Sequence, residues 1–316
     1  MVKSRPVKKS TNVRLRALRA LFSFLSRLSP AAAAGLAMAL FRRPPRHRGS
    51  EIDESVFASA ERTDLTVDGG RLAVWRLGSG PMVLLVHGWG SRGARLGSFV
   101  APLTAAGFSV VTFDAPGHGA SAGRLSSLPQ FIAAIREIAD RLGPVEAVVA
   151  HSMGGAATTL AAARGVSLRR AVFVAPVADP AGYSERFAAL LGLPADVLSR
   201  MRRGLERRFG IPWTEFDVLA AARTMSASLL VFHDRDDRDV ALADGEAIAG
   251  AWPGARLVVT DGLGHRRIVH DPSVVAQTIA FLSEAAAQPG FPAALKRGQV
   301  STCHIGGQAA TWHVET

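Results

Sequence analysis

Val145-Glu146-Ala147-Val148-Val149-Ala150-His151-Ser152-Met153-Gly154-Gly155 is the stretch on which the reading of this chain turns. Its first six residues form a short, largely β-branched apolar run, the pattern of a buried strand. Residues 156–164 then read as a helix. Ser152 therefore stands at a strand-to-helix corner, with Ala150 two positions before it and Gly154 two positions after. Such a corner holds the serine in a strained backbone conformation, and a bulky side chain at either flanking position would collide with its neighbours.

Working outward, other apolar runs end in loops that carry polar residues. Residues 82–86 lead into His87-Gly88-Trp89-Gly90, and 110–113 into Asp114-Ala115-Pro116-Gly117-His118-Gly119-Ala120-Ser121. Residues 229–232 lead into His233-Asp234-Arg235-Asp236-Asp237-Arg238-Asp239-Val240, and 256–260 into Asp261-Gly262-Leu263-Gly264-His265-Arg266-Arg267. The runs 82–86, 110–114, 145–150, 171–175, 229–232 and 256–260 alternate with segments of helical period, such as 96–106 and 131–142. Buried strands alternating with helices specify an α/β fold with a doubly wound, mostly parallel sheet. Residues 63–67 and 72–76, joined through Asp68-Gly69-Gly70, predict an antiparallel hairpin ahead of it.

On these residues the chain resembles the α/β-hydrolase superfamily over about residues 62–284. The corner at Ser152 is similar to that family's nucleophile elbow, with Ala150 in place of the usual first glycine. The 87–90 loop resembles the one whose main-chain N–H groups stabilise an oxyanion, which implies Trp89 and Met153 as the donors. Such a donor is worth roughly 3–4 kcal/mol in acyl transfer. Residues 114–121 look like the family's Asp-x-x-Gly-His-Gly-x-Ser loop, implying that Asp114 and His118 brace it. The family often carries its acid as His-Gly-x-x-Asp-x-x-Val, and counting from His233 puts it at Asp237. Asp236 is the runner-up, and Asp234 is expected to shape the turn. His265 stands where the family has its general base, and the order Ser152, Asp237, His265 is the hydrolase order. The Gly264-His265-Arg266-Arg267-Ile268 stretch resembles a bacterial subgroup.

The resemblance implies a serine hydrolase that cleaves a carboxylic ester or related acyl bond through an acyl-enzyme on Ser152, with no metal, nucleotide or flavin. Thioesterase, C–C bond hydrolase, perhydrolase and acyltransferase chemistry run on the same triad. A membrane-associated interaction protein that leaves the triad unused is the alternative of another class.

The 316 residues are 48% apolar and carry a net charge of +11. Residues 1–50 hold twelve Lys and Arg and no acid, whereas the rest has 25 basic and 26 acidic residues. The basicity thus belongs to a leader, and the balanced body argues against nucleic-acid binding. Within the leader, residues 13–28 place Leu15, Leu18, Leu21, Phe22, Leu25 and Leu28 on one helical face and Arg16, Arg19, Ser23, Ser26 and Arg27 on the other. Such a helix suits either a peripheral membrane contact through residues 13–41 or packing on the body. The uncharged run 30–41 is short of the roughly 20 residues that span a bilayer. Arg42-Arg43-Pro44-Pro45 follows it where a secretory signal would have a cleavage site. The acid-free start also resembles a mitochondrial transit peptide.

Residues 42–49 read as a linker, which makes 1–50 a leader and linker, of which 1–48 are expected to be dispensable for chemistry, and 51–286 the catalytic domain. Within that domain, residues 177–227 are too long for an ordinary connection and are expected to form a helical lid. Phe187, Leu190, Val197 and Met201 supply apolar surface there for an acyl pocket, and Arg200, Arg202, Arg203, Arg207 and Arg208 read as a solvated face. Residues 287–316 form an irregular tail with the lone Cys303, which cannot form an internal disulfide and fits a reducing, cytoplasmic setting.

Overall fold

The computed structural model describes residues 10–45 and 57–284. Its strands are β1 Glu61–Val67, β2 Gly70–Leu77, β3 Met82–Val86, β4 Ser109–Phe113, β5 Val145–His151, β6 Arg170–Val174, β7 Ser228–Asp234 and β8 Arg256–Thr260. They form one sheet in the order β1-β2-β4-β3-β5-β6-β7-β8. β1 and β2 pair antiparallel, β2 runs antiparallel to β4, and every later pairing is parallel. Helices α1 Ser10–Leu28 and α2 Pro30–Phe41 precede the sheet, and α3 Val100–Ala105, α4 Leu128–Leu142 and α5 Met153–Ala163 alternate with its strands. Between β6 and β7 lie α6 Pro180–Leu191, α7 Ala195–Phe209 and α8 Val218–Ala222. α9 Leu242–Ala251, α10 Gly264–Arg267 and α11 Pro272–Ser283 complete the order.

The central strands are apolar along their whole length because both faces are covered. Leu84 and Val86 point to the layer of Phe131, Ile135 and Leu160 from α4 and α5. Their neighbours Val83 and Leu85 point to the opposite layer, with Leu103, Phe281 and Leu282. β8 departs from the expected buried strand: none of its residues is fully buried, because it is the last strand of the sheet. The hairpin closes through Asp68 at φ 51° and Gly69 at φ 74°, with Val67 facing Gly70. Positive φ at both loop residues matches the twist of the two strands. With the strands from β4 onward parallel, their C-terminal ends share one edge, and the loops after β3, β5, β7 and β8 gather there.

The leader is not separate from the body, and the boundary expected at residue 50 divides in sequence what the fold joins. Phe22, Ala33, Ala34 and Ala37 form a core with Leu191 of α6 and with Val197 and Met201 of α7. Small residues let α2 and α7 approach closely: a Cβ on Gly204 would lie 3.2 Å from the Met38 sulfur. Ser29 caps α2 by accepting a hydrogen bond from the Ala32 N–H at 3.3 Å, and Pro30 occupies the first turn. The apolar surface of α1 divides. Leu15, Leu18, Phe22 and Leu25 pack inward, whereas Val13, Leu21, Phe24 and Leu28 are exposed. Leu21 and Leu28 therefore leave the packed face expected for them.

The segment 177–227 divides too. α6 and α7 carry the leader, while Phe216, Val218 and Ala222 belong to the main core. Arg202 is not part of a solvated face, since its guanidinium donates to Ser184 Oγ, the Ala181 carbonyl and Glu185 across α6. Arg200, Arg203, Arg207 and Arg208 are exposed as expected. Among the described residues no helix is long and apolar enough to cross a membrane. Residues 46–49 and the tail with Cys303 lie outside the described residues.

Because Phe22 is fully buried between leader and lid, replacing it by Ala is expected to cost about 3 kcal/mol, as for other core aromatics. A thermal melt should show a lower midpoint in a single transition. An unchanged midpoint would mean that the leader does not unfold with the body.

Candidate active site

β5 ends at His151, and Ser152 turns the chain into α5 with φ 56° and ψ −123°. A serine in this region is strained and persists only where its surroundings enforce it. Here the Ser152 N–H donates to the Val174 carbonyl at 3.0 Å, and its carbonyl accepts from Gly155 at 3.0 Å and Val177 at 3.4 Å. The requirement for a small residue at 154 is explicit, since a Cβ there would lie 2.5 Å from the Val86 carbonyl oxygen. Gly88 passes as close on the other side: its Cβ would lie 2.8 Å from that of Ser152 and 3.3 Å from its hydroxyl.

The loop after β3 is held by two buried histidines. His87 donates from Nδ1 to the Gly88 carbonyl at 2.7 Å, and its Nε2 accepts from the Ala115 N–H at 2.9 Å. In a trans peptide the N–H lies opposite the carbonyl, so the Trp89 N–H is directed away from His87. His118 accepts from the Gly90 N–H through Nε2 at 3.0 Å and donates from Nδ1 to the Pro116 carbonyl at 3.1 Å. Asp114 accepts from Gly93 at 2.8 Å and from Ala120 at 2.7 Å, while its carbonyl accepts from the Ser121 hydroxyl. Asp114 and His118 thus brace the loops. Both histidines are held neutral mainly by burial, with pKa values lowered to about 4 for His87 and about 3 for His118.

Asp237 and His265 meet across the ends of β7 and β8. Asp237 Oδ2 accepts from His265 Nδ1 at 2.7 Å, and Oδ1 accepts from the Asp239 and Val240 amides at 2.8 and 2.9 Å. Burial opposes its charge, but the hydrogen bonds from His265, Val240 and Asp239 and the charge of His265 outweigh it and hold the carboxyl below its ordinary range. The other acids are occupied elsewhere. Asp236 accepts from the Gly262 N–H at 3.2 Å. Asp234 binds the Asp236 and Leu263 amides and the Thr260 hydroxyl, which makes it the turn-shaping residue expected.

The arginines of the His265 loop also have structural duties that the sequence did not disclose. Arg267 donates to the Gly262 and Leu263 carbonyls, and Arg95 donates to the Arg266 carbonyl at 3.2 Å. His151 was missed altogether, although it stands beside Ser152. Its Nε2–H donates to the His265 carbonyl at 2.9 Å, and the two rings lie 4.6 Å apart. Burial, reinforced by the charge of His265, lowers its pKa to about 3. A histidine adjoining Ser152 was the available signal, but its partner lies 114 residues away.

Ser152, Met153 and Trp89 open into a cavity of about 490 Å³. Its other walls come from the lid, including Phe187, Leu190 and Phe209, and from the leader through Leu40, Phe41 and Arg42. Phe41 and Phe187 close leader against lid edge to face, with ring centres 5.2 Å apart. Residues expected to be dispensable therefore line the same cavity as Ser152.

Residues 83–278 match the model of the alpha/beta hydrolase family. A 153-residue stretch is 32% identical to the dihydrolipoyllysine-residue acetyltransferase component of the acetoin cleaving system of Cupriavidus necator, covering 47% of this chain and 38% of that protein. An 86-residue stretch is 42% identical to the pimeloyl-[acyl-carrier protein] methyl ester esterase of Chromobacterium violaceum, covering 27% of this chain and 32% of the relative. The matches thus span about a third of each curated relative. Among solved structures, a bacterial membrane phospholipase A shares the fold with a TM-score of 0.57 and 20% identity, over 89% of this chain and all of that one.

The depressed pKa values of His87, His118 and His151 tie stability to pH. Unfolded, each titrates near 6.5; folded, near 4 or 3. Their contribution is complete above 6.5, declines as pH falls below that value and is gone once pH has fallen through the folded values. Urea unfolding at pH 7.5 and pH 5 should give a lower midpoint at pH 5. Equal midpoints would place these rings outside the interior.

Proposed function

The chain belongs to the alpha/beta hydrolase family, and on that premise we propose that it is a serine hydrolase cleaving a carboxylic ester or related acyl bond. The observation that carries this reading is the 2.7 Å bond from His265 Nδ1 to buried Asp237, made at the sheet edge where strained Ser152 opens into an apolar cavity. Ser152 Oγ attacks the acyl carbon while His265 Nε2 takes its proton. The Trp89 and Met153 amides receive the negative oxygen. His265 then protonates the leaving group, water repeats the sequence on the acyl-enzyme, and the acid and free serine return. Asp237 stays ionised throughout, fixing the tautomer of His265 and stabilising its charged form. The cavity volume of about 490 Å³ lies in the range of small-molecule sites, and its apolar lining suits an acyl chain. The ester-cleaving name of one relative supports an ester, and the acetyltransferase name of the other makes acyl transfer to an acceptor other than water the second reading.

A fluorophosphonate probe should label the native chain and fail on Ser152→Ala. Asp237→Asn should cut turnover of a 4-nitrophenyl ester by about 10⁴, because the amide favours the wrong tautomer of the histidine. Asp236→Asn should fall far short of that. A greater loss at 236 than at 237 would move the acid by one residue.

The leader supplies a place for the reaction. Val13, Leu21, Phe24 and Leu28 share one stripe of α1 by helical period, on a helix that also carries exposed Arg14, Arg16 and Arg27. Exposed Leu190 lines the cavity, and its carbonyl accepts from Arg19 of α1 at 2.8 Å. An apolar stripe on an acid-free basic leader fits the surface of an anionic bilayer. Full-length protein should sediment with vesicles of three parts phosphatidylcholine to one part phosphatidylglycerol. Phe24→Glu with Leu28→Glu should weaken this binding about tenfold or more and leave turnover of a soluble ester intact, given the two apolar contacts removed. Undiminished sedimentation of the double variant would reject the surface.

A further inference from the structure

The cavity lining is largely apolar, but three buried polar atoms of residues that line it have no hydrogen-bond partner among the described residues. They are Arg42 Nε, Ser126 Oγ and Trp213 Nε1, and all three residues line the cavity. Arg42 is 5% exposed and Ser126 is fully buried, and the two are joined by a 2.7 Å bond from the Ser126 N–H to the Arg42 carbonyl. The Arg42 guanidinium lies over the Phe209 ring, 5.2 Å from its centre. Stacking of this kind occupies the face of the group, while its hydrogen-bond donors lie along its edge.

Arg42 also lacks a counter-charge. Among the described residues no carboxylate stands within ion-pair distance of it, and the charge that acts on it is the positive one of Arg208. Burial, with Arg208 second, lowers its pKa from the ordinary guanidinium value. Of the cavity's own acids, Glu206 accepts from the main-chain N–H of Trp213 at 2.8 Å, and Asp239 lies 3.6 Å from Arg266. Arginine and indole can only donate, and a serine hydroxyl donates as readily as it accepts. The group that completes such a set is rich in acceptors and negatively charged.

We infer that Arg42, Ser126 and Trp213 form a receptor for an oxyanion, a carboxylate or a phosphate, carried by the substrate at a distance from its scissile bond. The inference deepens the hydrolase reading and rests on it for the word substrate, though not for the binding itself. It makes the leader a determinant of specificity, since Arg42 closes α2. The substrate class is an ester with an apolar stem and a charged end.

Two measurements on the full chain test this. The first compares kcat/KM for 4-nitrophenyl hexanoate and for the mono-4-nitrophenyl ester of adipic acid, which differ at the far end. The native chain should prefer the charged ester by tenfold or more. Arg42→Met, which keeps a stem against Phe209, should abolish the preference, and Arg42→Lys should restore part of it. The second measures binding of adipate and of hexyl phosphate to Ser152→Ala by calorimetry, with and without Arg42→Met. Loss of binding on removal of Arg42 supports the receptor, and the tighter anion identifies its class. Should Arg42→Met fail to fold, Ser126→Ala carries the same comparison. Equal use of both esters together with anion binding indifferent to Arg42 or Ser126 would overturn the receptor. Arg42-dependent binding by a chain that hydrolyses neither ester would instead overturn the hydrolase reading and leave the receptor standing.

Discussion

The positive φ of Ser152 can exist only because the chain is pinned around it. Its amide is tied to β6, its carbonyl to the turns on either side, and Gly154 and Gly88 let two neighbouring segments come within a distance that any Cβ would forbid. The strained turn therefore depends on the parallel pairing of β3, β5 and β6, whose ends arrive side by side. In return, the corner sets Ser152 at the edge of the sheet and in the wall of the cavity instead of in the core.

The loops at this edge are made rigid by buried polar groups whose hydrogen bonds are mostly satisfied. Neutral His87 and His118 each donate to one main-chain carbonyl and accept from one amide, a pattern that a charged imidazolium could not make. Burial is thus a condition of their function as braces, because it suppresses the second proton. The acidic loop is organised in the same way. Asp234 takes one amide from its own turn and one from the loop after β8, and Asp237 takes two from its own turn on one oxygen, so that its second oxygen is left for His265. His151, neutral and with its ring 4.6 Å from that of His265, fixes the His265 main chain by a hydrogen bond to its carbonyl.

The cavity depends on a second packing event. α2 buries its alanine face against α7, and only this contact brings Phe41 and Arg42 to the cavity wall. Gly204 and the alanines are what allow it, because two helices with larger side chains at the crossing would stand further apart. Substrate access and any contact of the leader with a surface are thereby mechanically linked, since α1 packs its inner face in the same core while its outer stripe remains exposed.

Much of this was legible in the chain itself. Local patterns determined the strands, the hairpin at Asp68-Gly69, the elbow at Ser152 and the pairing of Asp237 with the histidine loop. The strands and the hairpin rest on the period of apolar residues and on a short turn whose sterics admit few side chains, whereas Ser152, Asp237 and His265 were marked by the resemblance of their loops to a known family. The exposure of β8, the clamp made by Arg202, the histidine behind His265 and the place of the leader were decided only in the tertiary structure. These rest on contacts between residues far apart in sequence, such as Met38 with Gly204 or His151 with His265. An amphipathic helix shows which of its faces is apolar but not how much of that face a neighbour will cover. An arginine beside a proline-rich stretch reads as linker until the lid packs over it, removes it from water and leaves its Nε–H without a partner among the described residues.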